Sequence, residues 1–174
     1  MEQKIFRSAD GCFNITLPSE WGQYEVDEYG TYAFFNAHAP YWRTNLRITF
    51  MQLNRHIGFN RRNAFEYIQS EAADNEGAEI VELGEWNACR CLKYITTADE
   101  SFATCYWVAG QNNNLFTCSL IFVKHDLATE NDEEVNVVQN ILKSIQLNET
   151  PGHTVRTTKG IVSLIKMMIL QLFR

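Results

Sequence analysis

Two runs, Phe102 to Gly110 and Leu115 to Lys124, stand on either side of the polar stretch QNNN. Both are rich in β-branched and aromatic residues, and a short Asn-rich connection suits a hairpin loop. A chain that carries such a pair is committed to antiparallel pairing. A lone hairpin is marginal in water, so further strands or a helix must cover its apolar face.

The rest of the chain supplies them. Phe13, Ile15 and Leu17 alternate with polar residues and Pro18 ends the run, which predicts a half-buried strand. Glu25 to Asn36 carries Tyr29-Gly30 near its start and then TYAFF, a second strand. In NLRITFMQL, Leu46, Ile48, Phe50 and Gln52 share one parity, while Arg47, Thr49 and Met51 share the other. That predicts a third strand with Arg47 facing water. In GFNRRNAFEYIQSEAADNEG, Phe65, Ile68 and Ala72 fall on one helical face. Asn63 and Glu66 form a capping box, and Asn75 and Gly77 end the helix. Glu79 to Thr97 reads as two strands broken near Gly84. Beyond Asp126 the period becomes helical again, with Val135, Val138, Ile141, Leu142 and Ile145 on one side and Asn131 with Glu134 as a second capping box.

Three strands, a helix, four strands and a helix make an α+β chain. The expected architecture is a mainly antiparallel sheet of about six or seven strands with both helices packed on one face, plus a C-terminal amphipathic helix. The 174 residues suffice for one sizeable core. Residues 1–149 form the α+β domain, and 150–174 a polar linker followed by the amphipathic segment. A net charge of -6 argues against a general nucleic-acid binder. No stretch of about eighteen apolar residues predicts an ordinary transmembrane helix. MEQKIFRSADGCF lacks the apolar core of a signal peptide, so a cytoplasmic protein is expected, with association at a membrane surface left open. The sequons at Asn14 and Asn148 are then chance matches.

The pieces FNITLPSEW, YAFF, Ala88 to Tyr94 before a hairpin, and NILKSIQL appear in an order that resembles the PsbP-like fold. That fold is shared by the photosystem extrinsic subunit PsbP, a Ran-binding nuclear transport factor, small bacterial lipoproteins and chaperones of type VI secretion effectors. The resemblance covers roughly Met1 to Glu149. Its motifs are structural: Leu17-Pro18 and Trp21 lock a corner, and Ile141 to Leu147 docks a helix. It implies a buried Trp21, a habit of binding other proteins, and no active site.

The residues themselves agree with a non-enzyme. Cys12, Cys89, Cys91, Cys105 and Cys118 are odd in number, and C-x-C without a second pair or histidine spacing is a weak zinc signal. Buried reduced thiols are the expectation, with no metal and no cofactor. His38, His56, His125 and His153 are scattered and form no catalytic motif. Charge is the informative feature. Gly30 to Phe65 holds no acid but includes Arg43, Arg47, Arg55, Arg61 and Arg62. Glu66 to Glu100 is crowded with acids against only Arg90 and Lys93. Tyr41, Trp42, Arg43, Arg55, Arg61 and Arg62 are therefore the candidate surface for another protein, an acidic one. The competing reading is an ordinary solvated face.

The tail TKGIVSLIKMMILQLFR is too short to span a bilayer, which takes about twenty residues. As a helix it is apolar over Ile161, Leu164, Ile165, Met168, Leu172 and Phe173, and from Pro151 onward it has basic residues and no acid. Such a helix docks in a protein groove, on this chain or a twin subunit, or lies in an anionic membrane surface. The sequence thus predicts a non-enzymatic intracellular protein-binding module, a chaperone or immunity-type partner. The alternative is a peripheral membrane protein held by its tail.

Overall fold

The computed structural model describes residues 2–26, 31–38, 45–52, 61–96, 101–111, 114–123 and 130–148. Their order is β1 (Gln3–Arg7), β2 (Phe13–Pro18), β3 (Trp21–Val26), β4 (Thr31–Asn36), β5 (Asn45–Gln52), α1 (Arg61–Asp74), β6 (Glu79–Leu83), β7 (Trp86–Thr96), β8 (Ser101–Gln111), β9 (Asn114–Val123), α2 (Glu130–Lys143) and β10 (Gln146–Leu147). A seven-stranded sheet runs β3-β4-β5-β9-β8-β7-β6, and a small sheet runs β1-β2-β10. All pairings are antiparallel. The fold is α+β as expected. The hairpin around QNNN is its centre, with Gln111 opposite Asn114 and Phe102 opposite Val123. The expected C-terminal helix and its six docking residues lie outside the described residues.

The alternation in β2 places Phe13, Ile15 and Leu17 in the core, where all three are buried. Trp21 opens β3 and is fully buried, as the resemblance implied. Rings pack edge-on around Phe13, with Tyr32 and Phe116 each 5.4 Å away. Edge-to-face rings of this kind add attraction beyond the area they bury. Phe34, Leu46, Ile48, Trp107, Cys118 and Leu120 complete the layer from the large sheet, and Val138, Ile141, Leu142 and Ile145 close it from the α2 side. The Thr16 amide donates to the Ser144 hydroxyl at 2.8 Å, just past the end of α2. Both sequon asparagines belong to this corner: Asn14 Nδ2 donates to Asn148 Oδ1, and Asn148 Nδ2 donates to the Gly11 carbonyl at 2.8 Å.

The two helices do not share a face, which corrects the sequence reading. α2 and the small sheet lie against the Trp107 and Cys118 side. α1 packs on the other side, where Ile68 meets Cys89, Cys91 and Val108. Neighbouring residues along β7 belong to the two different clusters, Ala88 to one and Cys89 to the other. Side chains alternate along a strand, so each core lies on its own face of the sheet. α1 comes close to the sheet because Gly110 carries no side chain: a Cβ there would sit 3.3 Å from Ala64 Cβ and 2.8 Å from Leu115 Cδ2.

Four smaller expectations also change. β1, β3 and β10 are additional strands. α1 begins at Arg61 and α2 at Glu130, so Asn63 and Asn131 lie inside the first turn rather than at the caps. Phe65 points outward, and Ala64 and Ile68 form the packing side of α1 instead. Arg47 does lie opposite in parity to Leu46, but it is half-buried rather than facing water.

Candidate functional site

Of the six residues proposed for a partner surface, Tyr41, Trp42, Arg43 and Arg55 lie outside the described residues. Arg61 and Arg62 form the first turn of α1. The Arg62 side chain is 85% exposed and pairs with Glu66 at 2.8 Å, one turn along. Phe65 is exposed beside them. The outer face of α1 therefore presents an arginine, an aromatic ring and a carboxylate together.

The charges of α1 run the wrong way for its own stability. A helix N-terminus carries partial positive charge and prefers acids, while its C-terminus prefers cations. α1 has two arginines and no acid in its first turn, no base in its last turn, and Asp74 as its final residue. Glu71, near that end, is buried and accepts a hydrogen bond from the Tyr67 hydroxyl at 2.6 Å. Across the chain the acids continue along β6, where Glu79 pairs with Arg90.

On the same side of the sheet as α1, a polar strip crosses β4, β5 and β9. Register sets Arg47 opposite both Ala33 and Ser119, Thr49 opposite both Thr31 and Thr117, and Asn45 opposite Ile121. Thr31 and Thr49 bond each other through their hydroxyls at 2.9 Å. Thr117 and Ser119 are buried, and their hydroxyl oxygens have no hydrogen-bond partner. Arg47 Nε and Asn45 Oδ1 are buried and unpaired as well. Sequence reading missed this strip. Its signal was the polar residues Thr117 and Ser119 at the non-core parity of β9, facing Thr49 and Arg47.

The cysteines are buried and none is in a disulfide. Cys89 and Cys91 face α1, while Cys105 and Cys118 face the other core, so the sheet itself separates the two pairs. Burial pushes the Cys105 thiol up to about 12, with Arg90 opposing, and burial raises Cys118 further still. Thiolate is the reactive form, so these groups are inert in the folded chain. Ellman's reagent should react little with the native protein and release five equivalents after denaturation, matching the five cysteines. Rapid native reaction would contradict their burial.

Glu134 on α2 is a buried-side carboxylate with a different consequence. Desolvation raises its pKa above the ordinary 4.5, a hydrogen bond with the Asn36 side chain opposes the shift, and Oε1 has no partner. A carboxyl raised in the fold holds its proton longer folded than unfolded. Its contribution to stability is therefore fullest at low pH and falls as pH rises from about 4.5 through the folded-state value. Glu134→Gln should flatten that slope in melts run across this window. An unchanged slope would locate the titration elsewhere.

Residues 1–169 match a protein family described as a domain of unknown function, DUF3805. The chain belongs to this family. No curated protein matches the sequence. Among solved structures, one from Bacteroides thetaiotaomicron is similar with a TM-score of 0.67 at 21% identity, covering 86% of this chain. The chain spans about half of that protein's length, 50%. LpqN, involved in cell envelope biogenesis of Mycobacterium tuberculosis, aligns with a TM-score of 0.51 at 8% identity over 84% of this chain and 91% of its own. Cyanobacterial PsbP (CyanoP) from Synechocystis aligns with a TM-score of 0.40 at 11% identity over 84% and 92%. At 21% and 8% identity, the likeness to the Bacteroides structure and to LpqN is one of fold alone. Among the described residues no helix is long and apolar enough to cross a membrane, and no group of three or more His, Cys, Asp or Glu side chains could hold a metal ion.

Proposed function

We propose that this domain is a non-enzymatic module that binds another protein through a surface that includes the N-terminal end of α1. One observation carries the reading: two arginines occupy the first turn of α1, against the helix dipole, with Arg62 and Phe65 directed outward. Against the dipole these charges are unfavourable to the helix end, and the exposed Arg62–Glu66 pair offsets this by only about 0.2–0.5 kcal/mol. Arginine beside an exposed aromatic is the composition of interface centres. The run Gly30 to Phe65 is free of acids, so the complementary partner is acidic. The fold is compatible with the same reading, since LpqN, of similar fold, is involved in cell envelope biogenesis.

The double variant Arg61→Glu, Arg62→Glu tests it. Removing cations from the first turn helps the helix, while losing the Arg62–Glu66 pair hurts it. Each effect is a fraction of a kcal/mol, so stability should change by less than about 1 kcal/mol. Recovery of an acidic partner from native cells should fall sharply compared with the wild-type chain. Equal recovery, or a collapse in melting temperature, contradicts the assignment.

A further inference from the structure

The strip across β4, β5 and β9 raises a question separate from protein binding. Thr117 and Ser119 are 2% and 1% exposed, yet neither hydroxyl has a partner. A buried polar group left unpaired is costly, and native proteins rarely leave several side by side. Here four atoms are grouped by register. Arg47 faces Ser119 directly, Thr117 lies two residues from Ser119 on the same face, and Asn45 lies two residues from Arg47. The outer pair, Thr31 and Thr49, satisfies itself, so the strip is able to pair its own hydroxyls where no other use is made of them.

The chemistry of the four atoms is asymmetric. Arg47 Nε–H and the Ser119 and Thr117 hydroxyls all donate, around one cationic group. Their complement is an oxygen that only accepts and carries negative charge, on a carboxylate or a phosphate. Asn45 is different. Its amide nitrogen donates to the Tyr24 hydroxyl, which leaves Oδ1 as the unpaired acceptor. Two residues along a strand span roughly 6–7 Å, so a donor at that distance from the oxyanion would complete the set. The side chains opposite Arg47 in register, Ala33 and Ser119, are small.

We propose that this strip is a binding site for a small organic oxyanion bearing a hydroxyl or amino group. Arg47, Ser119 and Thr117 hold the anionic end, and Asn45 accepts from the neutral end.

The full chain is titrated separately with glycerate, glycerol 3-phosphate and glycerol. The signals followed are the Arg47 Nε–H and the Ser119 and Thr117 amides, by nitrogen-proton correlation spectra. At least one acid should shift these signals saturably while glycerol does not, and which acid does so assigns carboxylate or phosphate. Arg47→Gln and Ser119→Ala should each weaken that binding by about tenfold or more. Their spectra away from the strip should match the wild type, which shows that they fold. Without added acid, Ser119→Ala should melt no lower than the wild type, because the hydroxyl it loses has no protein partner. Neither acid saturating, equal binding in both variants, or an equal response to glycerol would each overturn the site. A lower melting temperature for Ser119→Ala without acid would overturn it too, since the hydroxyl would then be satisfied already, for instance by an ordered water.

Discussion

Replacing Trp21 by alanine is expected to be among the most damaging single changes in this chain. Trp21 is fully buried at the first position of β3, opposite Asn36, in the same core as Leu17, Phe34 and Ile141. Truncating a buried tryptophan costs about 3–5 kcal/mol, from lost transfer energy and the cavity left behind. For a domain of this size that lowers the melting temperature by about 10 °C or more. Trp21→Phe should cost much less. It keeps an aromatic face in the corner, and it deletes an indole N–H that is buried without a partner. Urea denaturation of both variants separates the two effects. A Trp21→Ala cost below about 1 kcal/mol would show that the corner is not part of the core.

Gly84→Ala is the second large effect. Gly84 turns β6 into β7 with φ at 64°, in the left-handed region that L residues avoid. A Cβ placed there would lie 2.9 Å from the Lys143 carbonyl oxygen, at the last residue of α2. The obstacle is backbone, so no side chain can rotate away. The backbone cost is about 1–2 kcal/mol, and the clash with α2 adds to it, for a total of about 2–4 kcal/mol. Gly77 supplies the control. Its φ is 74°, but nothing lies within 4 Å of a Cβ there. Gly77→Ala should therefore show the backbone cost and little else. Equal losses at the two positions would mean that the turn does not press against α2.

The parts of the fold that could be read in the sequence are those where pattern and burial coincide. β2 alternates because one side faces a core and the other does not, and α2 is periodic because a single stripe packs. β1 was invisible for the converse reason: four of its five residues are exposed, so no face is marked. β3 hides its period behind Gly22 and a register shift between Gln23 and Glu25. The face chosen by each helix depends on long-range packing that local pattern does not encode. Cys89 and Cys91 were correctly read as buried, but nothing nearby in sequence says that α1 rather than α2 covers them. The same limit explains Phe65. Ala64 and Ile68 take the packing side because Gly110 lets the backbone approach, which no periodicity within α1 reveals. At the candidate site, the unbalanced charge was legible as composition. Its opposition to the helix dipole became visible only once α1 had defined ends.

Site-specific photo-crosslinking tests the central claim most directly. A photoreactive residue is placed at Phe65, beside the exposed Arg62, and in parallel at Ile5, which is exposed on β1 away from α1. The full chain is irradiated in its native cells. A discrete protein adduct should form from position 65, be absent from position 5, and disappear when Arg61 and Arg62 are changed to Glu. An adduct that forms equally from both positions, or that survives the arginine changes, would contradict a partner surface at the start of α1.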